Sequence, residues 1–151
     1  MKKAHFIAVG GKSMSGIAKI LIDQGFFVSG SDIDIGASAQ RLSGLGALIS
    51  LGHRKENIQD PDFVVVSSAI ADDNPEVQEA KRRGIPVVHR MDMLLEIITG
   101  KKIIGVAGAH GKTSTSAMIA WVLDRAGADP TFFVAGEFGK EGSARLGNGE
   151  Y

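Results

Sequence analysis

Twice along this chain a short apolar run ends in a glycine turn that opens a helical pattern, and this feature limits the fold more than any other. The first run is His5 to Val9, closed by Gly10-Gly11. Ile17, Ala18, Leu21 and Ile22 follow at helical spacing within Met14 to Gln24, and Gly25 stops the helix. The second run is Ile103 to Ala107. It leads through Gly108 to Lys112 into a helix from Thr113 to about Ala126, which Gly127 ends. A strand that feeds a helix through a tight turn is the repeating unit of parallel α/β sheets.

The intervening residues repeat the alternation. Phe26 to Ser29, Ala47 to Ser50, Asp62 to Ser67 and Pro86 to Val88 read as strands. Ala39 to Leu45, Pro75 to Arg83 and Met91 to Ile98 read as helices. Phe63-Val64-Val65-Val66 is continuous and β-branched, the pattern of a strand covered on both faces. Asn74 is the expected N-cap of the Pro75 helix, with Pro75 in its first turn. The order predicts an α/β fold. Residues 1–99 form a Rossmann-like, doubly wound parallel sheet, and residues 100–151 begin an incomplete P-loop strand-helix unit. Thr131 to Val134 is a further strand, and Gly136 to Tyr151 is expected to be loop.

Composition narrows the class. Glycine accounts for 20 of 151 residues, about twice the usual share, without a collagen-like period. Lys+Arg and Asp+Glu are both 17, so no basic excess points to nucleic acid or an anionic membrane. There is no Cys, which excludes disulfides and thiolate metal sites, and the four His lack metal-site spacing. No apolar run approaches the ~18 residues of a membrane span. The stretch after Met1-Lys2-Lys3 is too short for a signal peptide and reads as a first strand. Together these favour the cytoplasm.

The second glycine turn carries the stronger chemistry. In Gly108-Ala109-His110-Gly111-Lys112-Thr113-Ser114 the glycines let backbone N–H groups curl around phosphate oxygens. Lys112 would reach the β- and γ-phosphates, and the Thr113 hydroxyl would hold Mg²⁺. The longer G-x-x-x-x-G-K-[ST] form needs glycine at position 106, where Val106 stands, so this is a shorter G-x-x-G-K-T form. The first turn, Gly10-Gly11-Lys12-Ser13-Met14-Ser15-Gly16, has Ser13 where a dinucleotide fingerprint has its middle glycine. Asp32 follows Gly11 by about 20 residues, where an acidic residue meets a ribose hydroxyl. A nucleotide-diphosphate site and a plain tight turn both remain open there. His53, Ser67-Ser68 and His89-Arg90 fall at strand ends on the same sheet edge, as ligand contacts or as loop and capping residues.

These residues together resemble the Mur ligases, and within them the branch that joins L-alanine to UDP-N-acetylmuramate. The resemblance rests on Gly10-Gly11 with Met14 to Ala18, Val28 to Asp32, Gly52-His53 with Asn57-Ile58, and Val64 to Ile70. It continues through Asp73 to Val77, Gly84 to Val87, Arg90 with Met93-Leu94, Ala107 to Ser114, Ala144 to Gly147, and Gly149 to Tyr151. The branch that recycles murein tripeptide ranks second, because it typically carries Arg-Gly-Asn-Pro where Asp72-Asp73-Asn74-Pro75 stands here.

The resemblance implies that residues 1–99 hold the UDP-sugar. Gly10, Gly11, Lys12, Ser13, Met14 and Ser15 would face the pyrophosphate, Asp32 the ribose, and His53, Ser67, Ser68 and Ala69 the uridine and sugar. It implies that ATP binds at Gly108, Ala109, His110, Gly111, Lys112, Thr113 and Ser114, with Lys112 and Thr113 as catalytic residues and Mg²⁺ at Thr113. ATP would phosphorylate the lactyl carboxylate, and the amine of L-alanine would displace phosphate from that acyl phosphate. Ser13 and Ala109 depart from the family's usual Gly and Thr. The chain ends at Tyr151 ahead of the family's acidic metal-binding segment and C-terminal domain, so these 151 residues alone are expected to be inactive. Two other readings are a stand-alone UDP-sugar-binding module and an NAD(P)-dependent dehydrogenase. Ser13 and the second phosphate loop weigh against the latter.

Overall fold

The computed structural model describes residues 1–138 and 142–151. Strand β1 (Lys3–Ile7) leads into α1 (Lys12–Asp23), β2 (Phe27–Asp32), α2 (Ala37–Gly44) and β3 (Leu48–Leu51). A 3₁₀ turn at Lys55–Asn57 precedes β4 (Phe63–Val66), α3 (Pro75–Arg82), β5 (Val87–His89) and α4 (Arg90–Ile98). The five strands form one parallel sheet in the order β3-β2-β1-β4-β5. This is the expected doubly wound arrangement. Ala4 and Phe6 of β1, with Val28 and Val65, pack on Ile17, Ala18 and Leu21 of α1, Leu42 of α2, and Met93 and Ile97 of α4. Ile7 and Val64 turn to the opposite face, against Val77 and Ala80 of α3 and Ile58. Alternation along β1 sends successive side chains to opposite faces, and each apolar set finds a helix. Gly30 in β2 is needed for close approach, since a Cβ there would lie 2.9 Å from both the Phe6 carbonyl oxygen and Val9 Cβ.

Local signals explain the helix starts. The Asn74 side chain accepts from the Glu76 N–H at 2.9 Å, with Pro75 at the first helical position, as the sequence predicts. His89 caps α4, its Nδ1 accepting from the Met91 N–H at 3.3 Å.

The remaining elements are α5 (Lys112–Arg125), β6 (Phe132–Phe138) and β7 (Gly142–Arg145). Two expectations are corrected here. Ile103 to Ala107 is not a strand: it pairs with no other segment among the described residues, and Ile103 and Ile104 are exposed. A β-branched run supplies propensity, but a strand also needs a neighbouring ladder. The segment from Gly136 on is not all loop. β6 and β7 form an antiparallel pair with Phe132 opposite Arg145 and Phe133 opposite Ala144. The part of that expectation at 139–141 lies outside the described residues. The pair docks on α1, with Ala144 and Phe133 joining the α1 cluster. No helix among the described residues is long and apolar enough to cross a membrane.

Candidate functional site

The first glycine turn is built by a sharp reversal after β1. Ala8 adopts a left-handed φ of 63°, and the Val9 N–H returns to the Ser31 carbonyl at 3.0 Å. Gly11 is the N-cap of α1 in extended conformation, with no side chain closing the helix end. The first intrahelical bond runs from the Ser15 N–H to the Gly11 carbonyl at 2.8 Å, so the N–H groups of Lys12, Ser13 and Met14 precede the ladder. Those donors and the positive end of the helix dipole favour an anion.

Asp32, at the end of β2, ties this turn together. Its Oδ2 accepts from the Gly10 N–H at 2.8 Å and its Oδ1 from the Asp34 N–H at 3.1 Å. The carboxylate therefore holds the loop, and only its remaining lone pairs are left for a ribose hydroxyl. Ser13, which departs from glycine, also has a partner. Its hydroxyl accepts from Arg90 Nη1 at 2.7 Å, which brings a guanidinium from the start of α4 beside the N-terminus of α1. Arg90 Nε is buried without a protein hydrogen bond.

His53 follows β3, and Ser67, Ser68 and Ala69 follow β4, all at the carboxyl edge of the parallel sheet. The serine segment is a turn, with the Ile70 N–H bonded to the Ser67 carbonyl at 3.1 Å and the Ala69 N–H to Ser67 Oγ at 3.4 Å. Ser68 and Ala69 are exposed and Ser67 is half-buried. The fold thus brings Gly10, Gly11, Lys12, Ser13, Met14, Ser15, Asp32, His53, Ser67, Ser68 and Ala69 to one edge, although Met14 and Ser15 are themselves buried.

Beneath His53 lies a residue the sequence reading missed as a site residue. Glu76, in the first turn of α3, is wholly buried. It accepts from Ser31 Oγ at 2.6 Å, from the Arg54 N–H at 3.1 Å and from Asn57 Nδ2 at 2.5 Å. His5 Nε2 is 3.4 Å away and His53 Nδ1 3.7 Å. Burial pushes the Glu76 carboxyl up, but hydrogen bonds from His5, Ser31 and Asn57 outweigh it and hold the group below its ordinary value. His5 was the available signal, a histidine inside an otherwise apolar strand, because such a residue needs a buried partner. Arg90 was likewise not singled out as a contact for Ser13. Its position at a helix start gave no hint of the side chain's reach.

The second glycine turn is open. Gly111 is the N-cap of α5 with φ 77°, in the left-handed region, and no side chain caps the helix. Residues 108–114 are all exposed. Lys112 Nζ folds back to donate to the carbonyls of Gly108, at 2.5 Å, and Ala109, at 3.2 Å. The first bond of α5 runs from the Thr115 N–H to the Gly111 carbonyl at 2.9 Å. The N–H groups of Lys112, Thr113 and Ser114 thus form an outward-facing donor set that suits phosphate oxygens. Among the described residues no group of three His, Asp or Glu side chains is placed to hold a metal ion. The Thr113 hydroxyl would offer a divalent ion one oxygen ligand beside the phosphates. A cavity of about 320 Å³ lies elsewhere, between α1, α4, α5 and β6, and is lined by Ile20, Leu94, Ile119, Phe132 and Tyr151 among others.

The chain is similar in sequence and fold to several known proteins. A family model described as the Mur ligase family, catalytic domain, matches residues 3–102. UDP-N-acetylmuramate–L-alanine ligase from Methylobacillus flagellatus is 49% identical over 152 residues, covering 100% of this chain and 32% of that protein. The protein of the same name from Aquifex aeolicus is 51% identical over 151 residues, covering 99% and 33%. The crystal structure of UDP-N-acetylmuramate-alanine ligase MurC from Thermotoga maritima aligns with a TM-score of 0.93 at 34% identity, covering 99% of this chain and 36% of that one. A murein peptide ligase from Psychrobacter arcticus aligns with a TM-score of 0.92 at 28% identity, covering 100% and 34%. The chain spans about a third of the length of the curated relatives it matches.

Proposed function

The chain belongs to the Mur ligase family, and we propose that it carries the UDP-sugar site and the ATP phosphate loop of a UDP-N-acetylmuramate–L-alanine ligase. The observation that carries this reading is the open N-terminus of α1, with Arg90 fixed on Ser13 beside it. Residues 1–99 form the UDP-sugar unit and residues 100–151 the beginning of the ATP unit. The N–H groups of Lys12, Ser13 and Met14 and the Arg90 guanidinium hold the diphosphate. The remaining lone pairs of Asp32 face the ribose, and His53 with Ser67, Ser68 and Ala69 faces the uridine and sugar.

At the second loop, Gly108 to Ser114 cradle the ATP phosphates. Lys112 leaves the carbonyls of Gly108 and Ala109 for the β- and γ-phosphates, and Thr113 offers its hydroxyl to Mg²⁺. The ion supplies charge neutralisation on the phosphates when bound. The lactyl carboxylate attacks the γ-phosphorus and ADP leaves. The amine of L-alanine then adds to the acyl carbon, loses a proton and expels phosphate, leaving an amide. Lys112 and the α5 N-terminus offset charge on the transferred phosphoryl group, and alignment supplies the rest. An ATP-consuming ligase of this kind works in the cytoplasm, where ATP is.

Met118, Trp121 and Val122 on α5 are exposed, as are Ile103 and Ile104. With the third-length span, this supports a chain that binds but does not turn over alone. Titration calorimetry with UDP-N-acetylmuramic acid tests the reading. Saturable binding is expected, together with no formation of UDP-N-acetylmuramoyl-L-alanine when ATP and alanine are added. Absence of binding removes the proposal. The likeness to murein peptide ligases favours a second reading, a ligase that accepts a peptide in place of alanine. The alanine-ligase names of the roughly 50% identical relatives weigh against it.

A further inference from the structure

One face of the sheet carries a polar seam under the nucleotide edge. His5 and Ser29 are bonded to each other at 2.9 Å, and Ser31 and His53 converge on Glu76 beside them. The direction of each bond follows from what each group has to give. An ionised carboxylate only accepts. Ser31 has one hydroxyl hydrogen, and at 2.6 Å from Glu76 Oε2 it donates there. Ser31 Oγ, 2.9 Å from His53 Nδ1, can then meet the ring only as an acceptor, so Nδ1 carries the proton. In the neutral ring this leaves a lone pair on Nε2. That atom has no protein hydrogen bond among the described residues, and the side chain keeps 16% of its surface exposed.

We propose that Glu76, acting through Ser31, fixes His53 as the Nδ1–H tautomer, so that Nε2 accepts a hydrogen bond from the N3–H of a uracil base. The inference rests on the UDP-sugar reading above. Glu76 and Ser31 are positioning residues, and His53 touches the ligand. Uracil presents a donor at N3. Cytosine presents a bare lone pair there, which would face the lone pair of Nε2. The contact therefore discriminates between two pyrimidines of nearly equal shape. Replacing the carboxylate by an amide reverses the relay. In Glu76→Gln the amide oxygen accepts from Arg54 and Asn57, its nitrogen donates to Ser31 Oγ, and the Ser31 hydrogen turns to His53 Nδ1. The ring proton moves to Nε2, which then suits cytosine.

The test has two arms on this chain at pH 8. Long-range ¹H–¹⁵N correlation spectra without ligand read the tautomer. The neutral Nδ1–H form of His53 is expected in the wild type and the Nε2–H form in Glu76→Gln, and a wild-type ring protonated on Nε2 overturns the relay. Calorimetry with UDP and CDP reads the base contact. About tenfold tighter binding of UDP is expected in the wild type, the size of one well-placed hydrogen bond, with the order reversed in Glu76→Gln. Should that variant not fold, His53→Ala is expected to bind both nucleotides equally. Equal wild-type affinities on an Nδ1–H ring overturn the base contact alone. No binding of either nucleotide overturns the UDP-sugar reading and the base contact with it, while the spectra still decide the relay.

Discussion

Phe133 lies so close to Gly16 that a Cβ at position 16 would sit 2.6 Å from the Phe133 ring and 3.2 Å from Ser143 Oγ. Gly16 is buried in the middle of α1, where glycine normally costs about 1 kcal/mol relative to alanine. Here it makes room for the β6-β7 pair to dock. Gly16→Ala is therefore expected to destabilise the chain by about 1–3 kcal/mol, overpacking outweighing the gain in helix propensity. Urea denaturation measures it. In a Phe133→Ala background the same change should become neutral or stabilising. If it is equally harmful in both backgrounds, the docking contact is not the cause.

Glu76 makes stability depend on acid. Its carboxyl is held below its ordinary value in the folded chain, so its contribution is full above the unfolded, ordinary carboxylate range. The contribution is lost as pH falls through the lower, folded value. The urea midpoint should stay level from neutrality toward pH 5 and fall below it, with a shallower fall in Glu76→Gln. Asp129, lowered by the Asn148 N–H, and Glu150, lowered by Lys102, are exposed and leave a residual slope. Glu76→Ala orphans the Ser31, Arg54 and Asn57 donors and should cost about 3 kcal/mol at pH 7. A variant as stable as the wild type would contradict the network.

The distribution of what was legible follows from range. The strands of the large sheet and the helices covering it are visible because each is specified locally, by an apolar run, a helical period and a glycine stop. The cap at Asn74 is equally local. Ile103 to Ala107 is apolar and β-branched like Phe63 to Val66, yet among the described residues only the latter has neighbours to pair with, in β1 and β5. At the site, the first glycine turn and the edge residues were legible because spacing places them after strands, and the second turn because its glycines and Lys112-Thr113 open a helix. The Ser13–Arg90 bond joins residues far apart in sequence, and the Glu76 network draws on four segments. No window contains either.

The segment after β7 returns to the start of β6 and has no room for side chains. A methyl at position 149 would overlap the Ala128 carbonyl oxygen, and one at position 147 the Asp129 and Pro130 carbonyls. The return is held by the Gly149 N–H to the Asp129 carbonyl at 2.8 Å, the Thr131 N–H to the Tyr151 carbonyl at 2.9 Å, and Lys101 Nζ to the Gly147 and Gly149 carbonyls. Gly149→Ala should release these bonds. Amide exchange at Thr131, and at Lys102, whose N–H bonds the Glu150 carbonyl at 2.7 Å, should then quicken at least about tenfold, equivalent to about 1.4 kcal/mol of local stability. Exchange in β1 should be unchanged. Uniform loss of protection would mean that the two parts unfold as one unit.

Lys112 separates binding at the two loops. Its side chain is exposed and bonded only to carbonyls of its own turn, so Lys112→Ala should change stability by less than about 0.5 kcal/mol. The same change removes the one cation the loop can extend toward phosphates, and a charged hydrogen bond is worth about 1.5–3 kcal/mol. ATP affinity should fall at least about tenfold by calorimetry. Affinity for UDP-N-acetylmuramic acid should be unaltered, because its proposed donors come from α1 and Arg90. Gly111→Val should also weaken ATP binding while keeping Lys112, because a β-branched side chain is strained at φ 77°. If Lys112→Ala weakens both ligands equally, the two glycine turns serve one site and the division between residues 1–99 and 100–151 fails.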